Sequence, residues 1–515
     1  MKVKKLLDGA IRPWTQGAWE SLALLLFTVF YTGIYRQDLF FRVQELSLFL
    51  PDRTFFVEAM GRPGGALWYA GRFLTQFFHY PWVGSLLLAA LLLLIRWCTA
   101  ILLAPLRYRV LSCLPALLLL LSLLRLDYQI FVSKDEELLF SPALGMLGAL
   151  LLLLGWRRVG RRGYRLLYVA LMALVGYPLL GFYALFAALV AGGIEAFRSG
   201  GGRWVAAGTF AGIWAWIAAC PWLYFCFAYT RLNVYRIYTT GLPSPADHGN
   251  APGNTLLLAV ALALVAAYAI RGACRRREND PARRPLASLL CLLALLVGLF
   301  FLSNRDANFH ALLSIQRASA GGKWERVLEK AQEVERPDRT ISLYRNVALL
   351  KQNRLCEEMF TYPPGDAPMP AYPRLVYIAG SDLLFHHGRL SHAYRWAVEH
   401  FVQHGLTVDY LRHMIKVALL KGEFALAQKY VNTLGRTRFY SGVADRYQRY
   451  IGQPRLINDD PEFRSIRGLF SHPNVLGEES GALEPYLLEY FRDTPPASRE
   501  MLELATAAAL TLKDK

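Results

Sequence analysis

Long apolar runs alternate with short arginine-rich stretches over the first 303 residues. A helix needs about 20 apolar residues to cross a bilayer, at a rise of about 1.5 Å per residue. After Ser303 the composition becomes that of a soluble helical protein. The pattern therefore predicts an all-α protein with a transmembrane domain at 1–303 and a soluble domain at 304–515. The predicted spans are 19–35, 83–104, 110–126, 138–156, 204–229, 255–270 and 286–302, with a further apolar stretch at 166–196.

The charges between these runs predict which side of the membrane each loop occupies. Cytoplasmic loops of membrane proteins are rich in Lys and Arg. The N-terminus and the segments 157–165 and 271–284 are basic, whereas Asp127–Glu137 is acidic and belongs outside. Stretch 166–196 must then cross an even number of times, as two helices broken at Gly176–Pro178 or as a re-entrant hairpin.

Together these loops predict about nine crossings, with the N-terminus in the cytoplasm. The soluble domain then lies on the outer side. We expect a bacterial inner-membrane protein whose domain 304–515 is periplasmic.

The net charge and the motifs limit the classes of function that the protein could have. The chain has a net charge of +18, but its arginines cluster beside apolar runs, so the bilayer and not a nucleic acid is the expected partner. Walker, dinucleotide-binding, HExxH and GxSxG motifs do not occur in the sequence. Six of the ten histidines fall within 386–413. His400 and His404 have the spacing of a metal pair but no evident third ligand, so we expect these histidines on helix surfaces. We predict neither a metal nor a cofactor.

The outer loop at 36–82 carries two of the candidate site residues. Asp38 and Arg42 lie one turn apart on a predicted helix, Gln37–Leu50. An aromatic segment follows at Ala66–Tyr80 and is typical of a helix in the membrane interface. Two interpretations remain open here, a plain packing layer and the wall of an outward-facing cavity. Residues near the end of span 204–229 that could hold a phosphate in such a cavity are Arg231, Tyr235 and Arg236.

The soluble domain contains a repeated turn signal at Gly322, Asn353, Gly388 and Gly422, at intervals of 31, 35 and 34 residues. Gly and Asn tolerate the left-handed conformation that ends a helix. Helix–turn–helix units of this length resemble the tetratricopeptide repeat, whose stacked units offer a concave surface to a partner. The proline-rich stretch Tyr362–Pro373 interrupts the second unit and predicts an ordered surface loop.

Two further stretches carry a resemblance to a known family. The first runs from the RPGG sequence at Arg62 to Gly84, and the second comprises Ser381–Arg395 with Gly422–Tyr430. Together they resemble an uncharacterised family of integral membrane proteins from Bacteroidota. That resemblance implies a polytopic N-terminal half and a helical-repeat C-terminal half, without an assigned activity.

At the level of architecture the chain is also similar to GT-C glycosyltransferases. In those enzymes a catalytic acid commonly follows the first span, where this chain has Asp38.

Two functions from different classes therefore stay open. In the first, the protein is a non-enzymatic docking protein for envelope assembly, with a protein partner bound on 304–515. In the second, it is a GT-C-like transferase that uses a lipid-phosphate-linked sugar. That transferase would use Asp38 as its base and bind the lipid-linked substrate through Arg42, Arg231, Tyr235 and Arg236.

Overall fold

The computed structural model describes residues 17–103, 110–132, 139–197, 203–230, 232–239, 285–470 and 482–513. Helices and turns make up these residues, and the all-α class is confirmed. They divide into two compact units. Unit 1 comprises Met1–Gln37, Pro51–Leu126 and Asp135–Asn304, and unit 2 comprises Asp38–Leu50, Asp127–Lys134 and Arg305–Lys515.

The helices are numbered in chain order. Those before Asn304 are α1 (Ala18–Phe30), α2 (Gln37–Glu45), α3 (Arg53–Met60), α4 (Gly65–Thr75), α5 (Pro81–Leu103), α6 (Leu114–Leu124), α7 (Phe140–Arg158), α8 (Arg162–Leu174), α9 (Gly176–Leu180), α10 (Phe182–Phe197), α11 (Arg203–Phe227), α12 (Val234–Thr239) and α13 (Pro285–Leu302). Those after it are α14 (Ala307–Ala320), α15 (Trp324–Gln332), α16 (Arg339–Lys351), α17 (Leu355–Glu358), α18 (Leu375–His386), α19 (Leu390–His404), α20 (Val408–Leu420), α21 (Phe424–Gly435), α22 (Ser441–Gly452), α23 (Pro461–Arg467), α24 (Leu483–Asp493) and α25 (Arg499–Lys513).

Unit 1 contains the long apolar helices. Within the described residues, four helical stretches have the length and composition to cross a membrane: Ala18–Tyr35, Pro81–Leu103, Phe140–Arg158 and Trp204–Phe227. A fifth is added if Ser288–Leu302 is counted together with the helix that follows it. The predicted span at 255–270 lies outside the described residues. The total of about nine crossings therefore stays a prediction.

The apolar stretch 166–196 forms three helices and not the two that we expected. Its breaks fall at Val175 and Gly181, on either side of the predicted break. Pro178 lies in the first turn of α9, where a missing backbone N–H removes no helical hydrogen bond. The chain turns instead at Gly181, whose φ is 58°. In the same part of unit 1, buried Glu195 of α10 pairs with Arg165 of α8 at 3.6 Å.

Unit 2 is built largely from helical hairpins. All four predicted turn residues have left-handed backbone, with φ of 66° at Gly322, 56° at Asn353, 73° at Gly388 and 74° at Gly422. The helices that flank each turn pack against each other. The predicted turn positions are thereby confirmed, whereas the likeness to the tetratricopeptide repeat stays a prediction. The largest fully buried side chains of unit 2 among the described residues include Phe309, Tyr344, Phe385, Tyr447 and Phe463.

Unit 2 is assembled from three separate stretches of chain. The last begins at Arg305, next to the domain boundary predicted at 303/304. The other two, Asp38–Leu50 and Asp127–Lys134, come from within residues 1–303. Both are tied into the unit by hydrogen bonds. The Val408 N–H donates to the Ser47 carbonyl at 3.2 Å, and the Tyr128 hydroxyl donates to the Asp338 carboxylate at 3.1 Å.

The hairpin turns yield a matched stability test. An alanine Cβ at Gly388 would meet Leu469 at 2.6 Å, whereas one at Gly422 meets nothing within 4 Å. Both substitutions place alanine in a left-handed conformation, which costs about 1–2 kcal/mol. We expect Gly388→Ala to lower the free energy of unfolding by about 2–4 kcal/mol, because crowding adds to the strain, and Gly422→Ala by the strain alone. Denaturant unfolding of the purified protein measures both, and equal losses would contradict the packing at Leu469.

Candidate functional site

Unit 2 contains two polar features that could form a site, and the first is a buried set of four charges. Helix α2 contributes Arg42 and Glu45, and α20 contributes Asp409 and Arg412. Arg42 donates to Asp409 at 2.9 Å and to Glu45 at 3.2 Å, and Arg412 donates to Glu45 at 3.2 Å. In α2 the arginine comes three residues before the carboxylate, and in α20 the carboxylate comes three residues before the arginine. Each cation therefore faces an anion of the other helix. We call these four residues the charge cluster.

The charge cluster is electrically balanced and largely dry. Burial by itself would raise the pKa of Asp409, but Arg42, His413 and Arg412 together outweigh burial and lower that pKa to about 2. Arg42 also lies over the Phe131 ring at 5.6 Å, and the neighbouring Gln44 accepts a hydrogen bond from Tyr440 at 2.8 Å. Every charge in the cluster thus has a partner within unit 2.

A small cavity beside the charge cluster is too narrow for a substrate. Its volume is about 30 Å³, which is space for one or two water molecules. It is lined in part by Gln316, Tyr344, Asp382 and His413. A single carboxylate oxygen of Asp382 faces His386 at 3.5 Å and His413 at 3.2 Å. We interpret this region as a polar core that holds helices together.

The histidines of residues 386–413 correct an expectation. We expected them on helix surfaces, yet His386, His387, His392, His400 and His413 are buried. Desolvation lowers the pKa of His387 to about 4 and that of His400 to about 3, so these two rings are neutral at pH 7. Neutral imidazoles pack as aromatic rings, and His400 stacks on Tyr410 at 4.6 Å. Among the described residues, no group of three or more His, Cys, Asp or Glu is arranged to hold a metal ion.

Asp38, the candidate catalytic base, is engaged inside unit 2. One carboxylate oxygen accepts from Arg317 and the other from Ser314, both at 2.6 Å. Arg42, a candidate binding residue, belongs to the charge cluster. Of the remaining candidates, Arg231 and the side chains of Tyr235 and Arg236 lie outside the described residues. The transferase site therefore stays a prediction from the sequence.

The second feature is an open groove beside the proline-rich loop. The C-terminal hairpin of α24 and α25 returns to pack on α16, α17 and α18. Between these helices and the loop Tyr362–Pro373 lies a space of about 930 Å³, within the range of known ligand sites. We call it the Pro-loop groove. Its apolar lining includes Met359, Phe360, Met369, Leu375 and Leu483, and its charged lining is Arg339, Arg345, Asp366 and Glu484.

Contacts between α16 and the proline-rich loop hold the two sides of the Pro-loop groove in place. The loop pairs with the main chain before α16 through a parallel bridge between Ala367 and Asp338. Arg345 donates to the Pro363 carbonyl at 2.8 Å and so joins α16 to the loop. Prolines fix the backbone angle φ, which keeps the lining in place before any ligand arrives. The loop was predictable from its prolines, whereas nothing in the sequence singles out Arg345.

Comparison with known proteins places the chain in a family. A family model, described as a family of unknown function (DUF6057), matches residues 14–514. The chain belongs to this family. The match agrees with the resemblance to an uncharacterised family noted from the sequence. Comparisons with curated proteins and with solved structures found no match.

Two carboxylate substitutions, one inside the charge cluster and one outside it, should lower the free energy of unfolding by different amounts. Asp409→Asn leaves Arg42 buried with one carboxylate fewer, and we expect the free energy of unfolding to fall by about 3 kcal/mol. Asp38→Asn breaks a partly exposed pair, with side chains 37% and 27% exposed, and should cost at most about 1 kcal/mol. Thermal or denaturant unfolding of the two purified variants measures the difference. Similar losses would mean that the cluster contributes no more than a surface pair.

Proposed function

We propose that the protein is a multi-pass membrane protein of the bacterial inner membrane that docks a partner in envelope assembly. The partner protein would insert an extended segment into the Pro-loop groove of unit 2. The observation that carries this proposal is the groove itself, an open, mainly apolar space on a scaffold of helical hairpins. Extended surfaces of stacked hairpins are widely used to bind proteins.

The assembly of unit 2 from three stretches of chain supports its location on one side of the membrane. Its three stretches form one compact body, so the chain between them must cross the bilayer an even number of times. Residues 51–126 contain α5 and the apolar helical stretch Val110–Leu124, which satisfy this rule if both cross. Residues 135–304 contain four predicted single spans and 166–196, which again give an even number. The side follows from the arginines at 157–165, which favour the cytoplasm, so unit 2 would be periplasmic.

Cysteine labelling tests this topology. In a cysteine-free background, Asp127→Cys and Ala307→Cys introduce thiols at exposed positions of two unit 2 stretches, and Arg161→Cys at an exposed position of the basic segment. We expect a membrane-impermeant maleimide to label the first two in spheroplasts and the third only after lysis. Labelling of residues 127 and 307 from opposite sides would refute the even-crossing rule.

Selection with short random peptides tests docking directly. The full-length protein in lipid nanodiscs should enrich a set of related peptides that compete with one another. Replacing two groove side chains, in the variant Phe360→Ala with Met369→Ala, should weaken their binding at least tenfold, about 1.4 kcal/mol. Phe401→Ala, an exposed phenylalanine on α19 outside the groove lining, is the matched control and should change Kd less than twofold.

Two results would count against docking at this place. Failure to enrich any peptide above background would remove the proposal. Enriched peptides whose Kd ignores the groove variant would bind elsewhere on the protein.

A further inference from the structure

Arg345 is a buried cation whose charge is not matched by a carboxylate. Its side chain lines the Pro-loop groove, and the residue is 6% exposed. It donates to the Pro363 carbonyl at 2.8 Å and to the amide oxygen of Asn346 at 3.2 and 3.0 Å. These acceptors are neutral. Among the described residues, no Asp or Glu forms an ion pair with Arg345, and burial lowers the pKa of its guanidinium.

The other charges of the groove already have partners. Arg339 faces Glu484 at 3.5 Å, and Asp366 faces Arg336 at 3.9 Å. Arg345 is therefore the lining charge that the described part of the chain leaves unbalanced. A guanidinium that has lost water without gaining an anion is costly, and an incoming anion would recover part of that cost.

A second polar group without a hydrogen-bond partner in the described part of the chain lies on the same face of α16. The buried Ser342 hydroxyl oxygen has no hydrogen-bond partner among the described residues. Ser342 and Arg345 are three residues apart, so their side chains lie on one face of the helix. Both line the groove. A hydroxyl and a guanidinium side by side are suitable donors for one carboxylate.

We propose that the Pro-loop groove recognises a carboxylate on an extended protein segment, with Arg345 as the specificity-determining residue. The inference rests on the proposed docking function and names the chemistry of its partner. Arginine presents two parallel N–H groups that match the two oxygens of a carboxylate. Apolar side chains next to that carboxylate would contact Phe360, Met369 and Leu483 along the groove.

The number of cations favours a carboxylate over a phosphate. Recognition of phosphorylated segments in proteins commonly uses a cluster of arginines. Here Arg339 is engaged by Glu484, which leaves one arginine for the ligand. A singly charged carboxylate balances one guanidinium, whereas a phosphate would bring about −1.5 to −2 charges.

The test uses the peptides selected on the full-length protein. For each peptide, Kd is measured for the parent, for a copy with Glu or Asp changed to Gln or Asn, and for a C-terminal amide. We expect at least a tenfold loss when the recognised carboxylate is neutralised. Arg345→Met should cause a similar loss for the parent peptide and abolish the difference between parent and neutralised copies. Arg455→Met, which removes an exposed arginine outside the groove lining, should change Kd less than twofold.

The outcomes separate this inference from the docking proposal. Peptides that need Phe360 and Met369 but bind equally well without a carboxylate would overturn the inference and leave docking intact. Tighter binding of a phosphoserine copy than of the Glu peptide would overturn the choice of anion. The peptide comparison uses the natural protein, so it decides between these outcomes even if Arg345→Met does not fold.

Discussion

The buried contact between Arg42 and Asp409, closed by Glu45 and Arg412, is the constraint on which unit 2 depends. Taking charges out of water is costly, and the cost is offset only when each charge meets a partner in good geometry. The four side chains meet this condition at distances of 2.9 to 3.2 Å. Removing one partner would leave a buried charge, which commonly costs about 3–5 kcal/mol. That loss is a large share of the roughly 5–15 kcal/mol by which a domain is stable.

This constraint decides which stretches of chain belong together. Helix α2 follows the apolar helix α1 along the chain, yet its partners lie on α20 and its neighbours in unit 2. The segment Asp127–Lys134 behaves in the same way, with Tyr128 bonded to Asp338. Under the proposed membrane topology, a unit built from distant stretches requires an even number of bilayer crossings between them. Pairing between residues far apart in the chain therefore supports the proposed topology.

The charge cluster and the Pro-loop groove show how differently buried charge can be used. In the cluster every cation meets an anion, and the adjacent cavity has space only for water. In the groove Arg345 meets neutral acceptors and faces an open space. The first arrangement stabilises the fold, whereas the second leaves a hydrogen-bonded cation without an anion, which the proposed partner would supply. For a member of a family of unknown function, this contrast is the observation on which the proposed docking site rests.

The sequence by itself determined the helical class, most of the apolar helices of unit 1 and the turns at Gly322, Asn353, Gly388 and Gly422. These features are local, because apolar run length and the left-handed preference of Gly and Asn act within a few residues. It also indicated the loop Tyr362–Pro373, because prolines restrict the chain wherever they stand.

Only the tertiary structure decided which polar residues are buried and with what. We expected the histidines of 386–413 on helix surfaces, but most of them are buried. The spacing of residues along one helix does not reveal which other helix covers them, so the sequence could not show this burial. Arg42 and Asp409 are 367 residues apart, so no local pattern could pair them. Arg345 is one arginine among many in the sequence. What distinguishes it is that its charge is buried without an anion. That environment forms only when α16, the proline-rich loop and the C-terminal hairpin pack together.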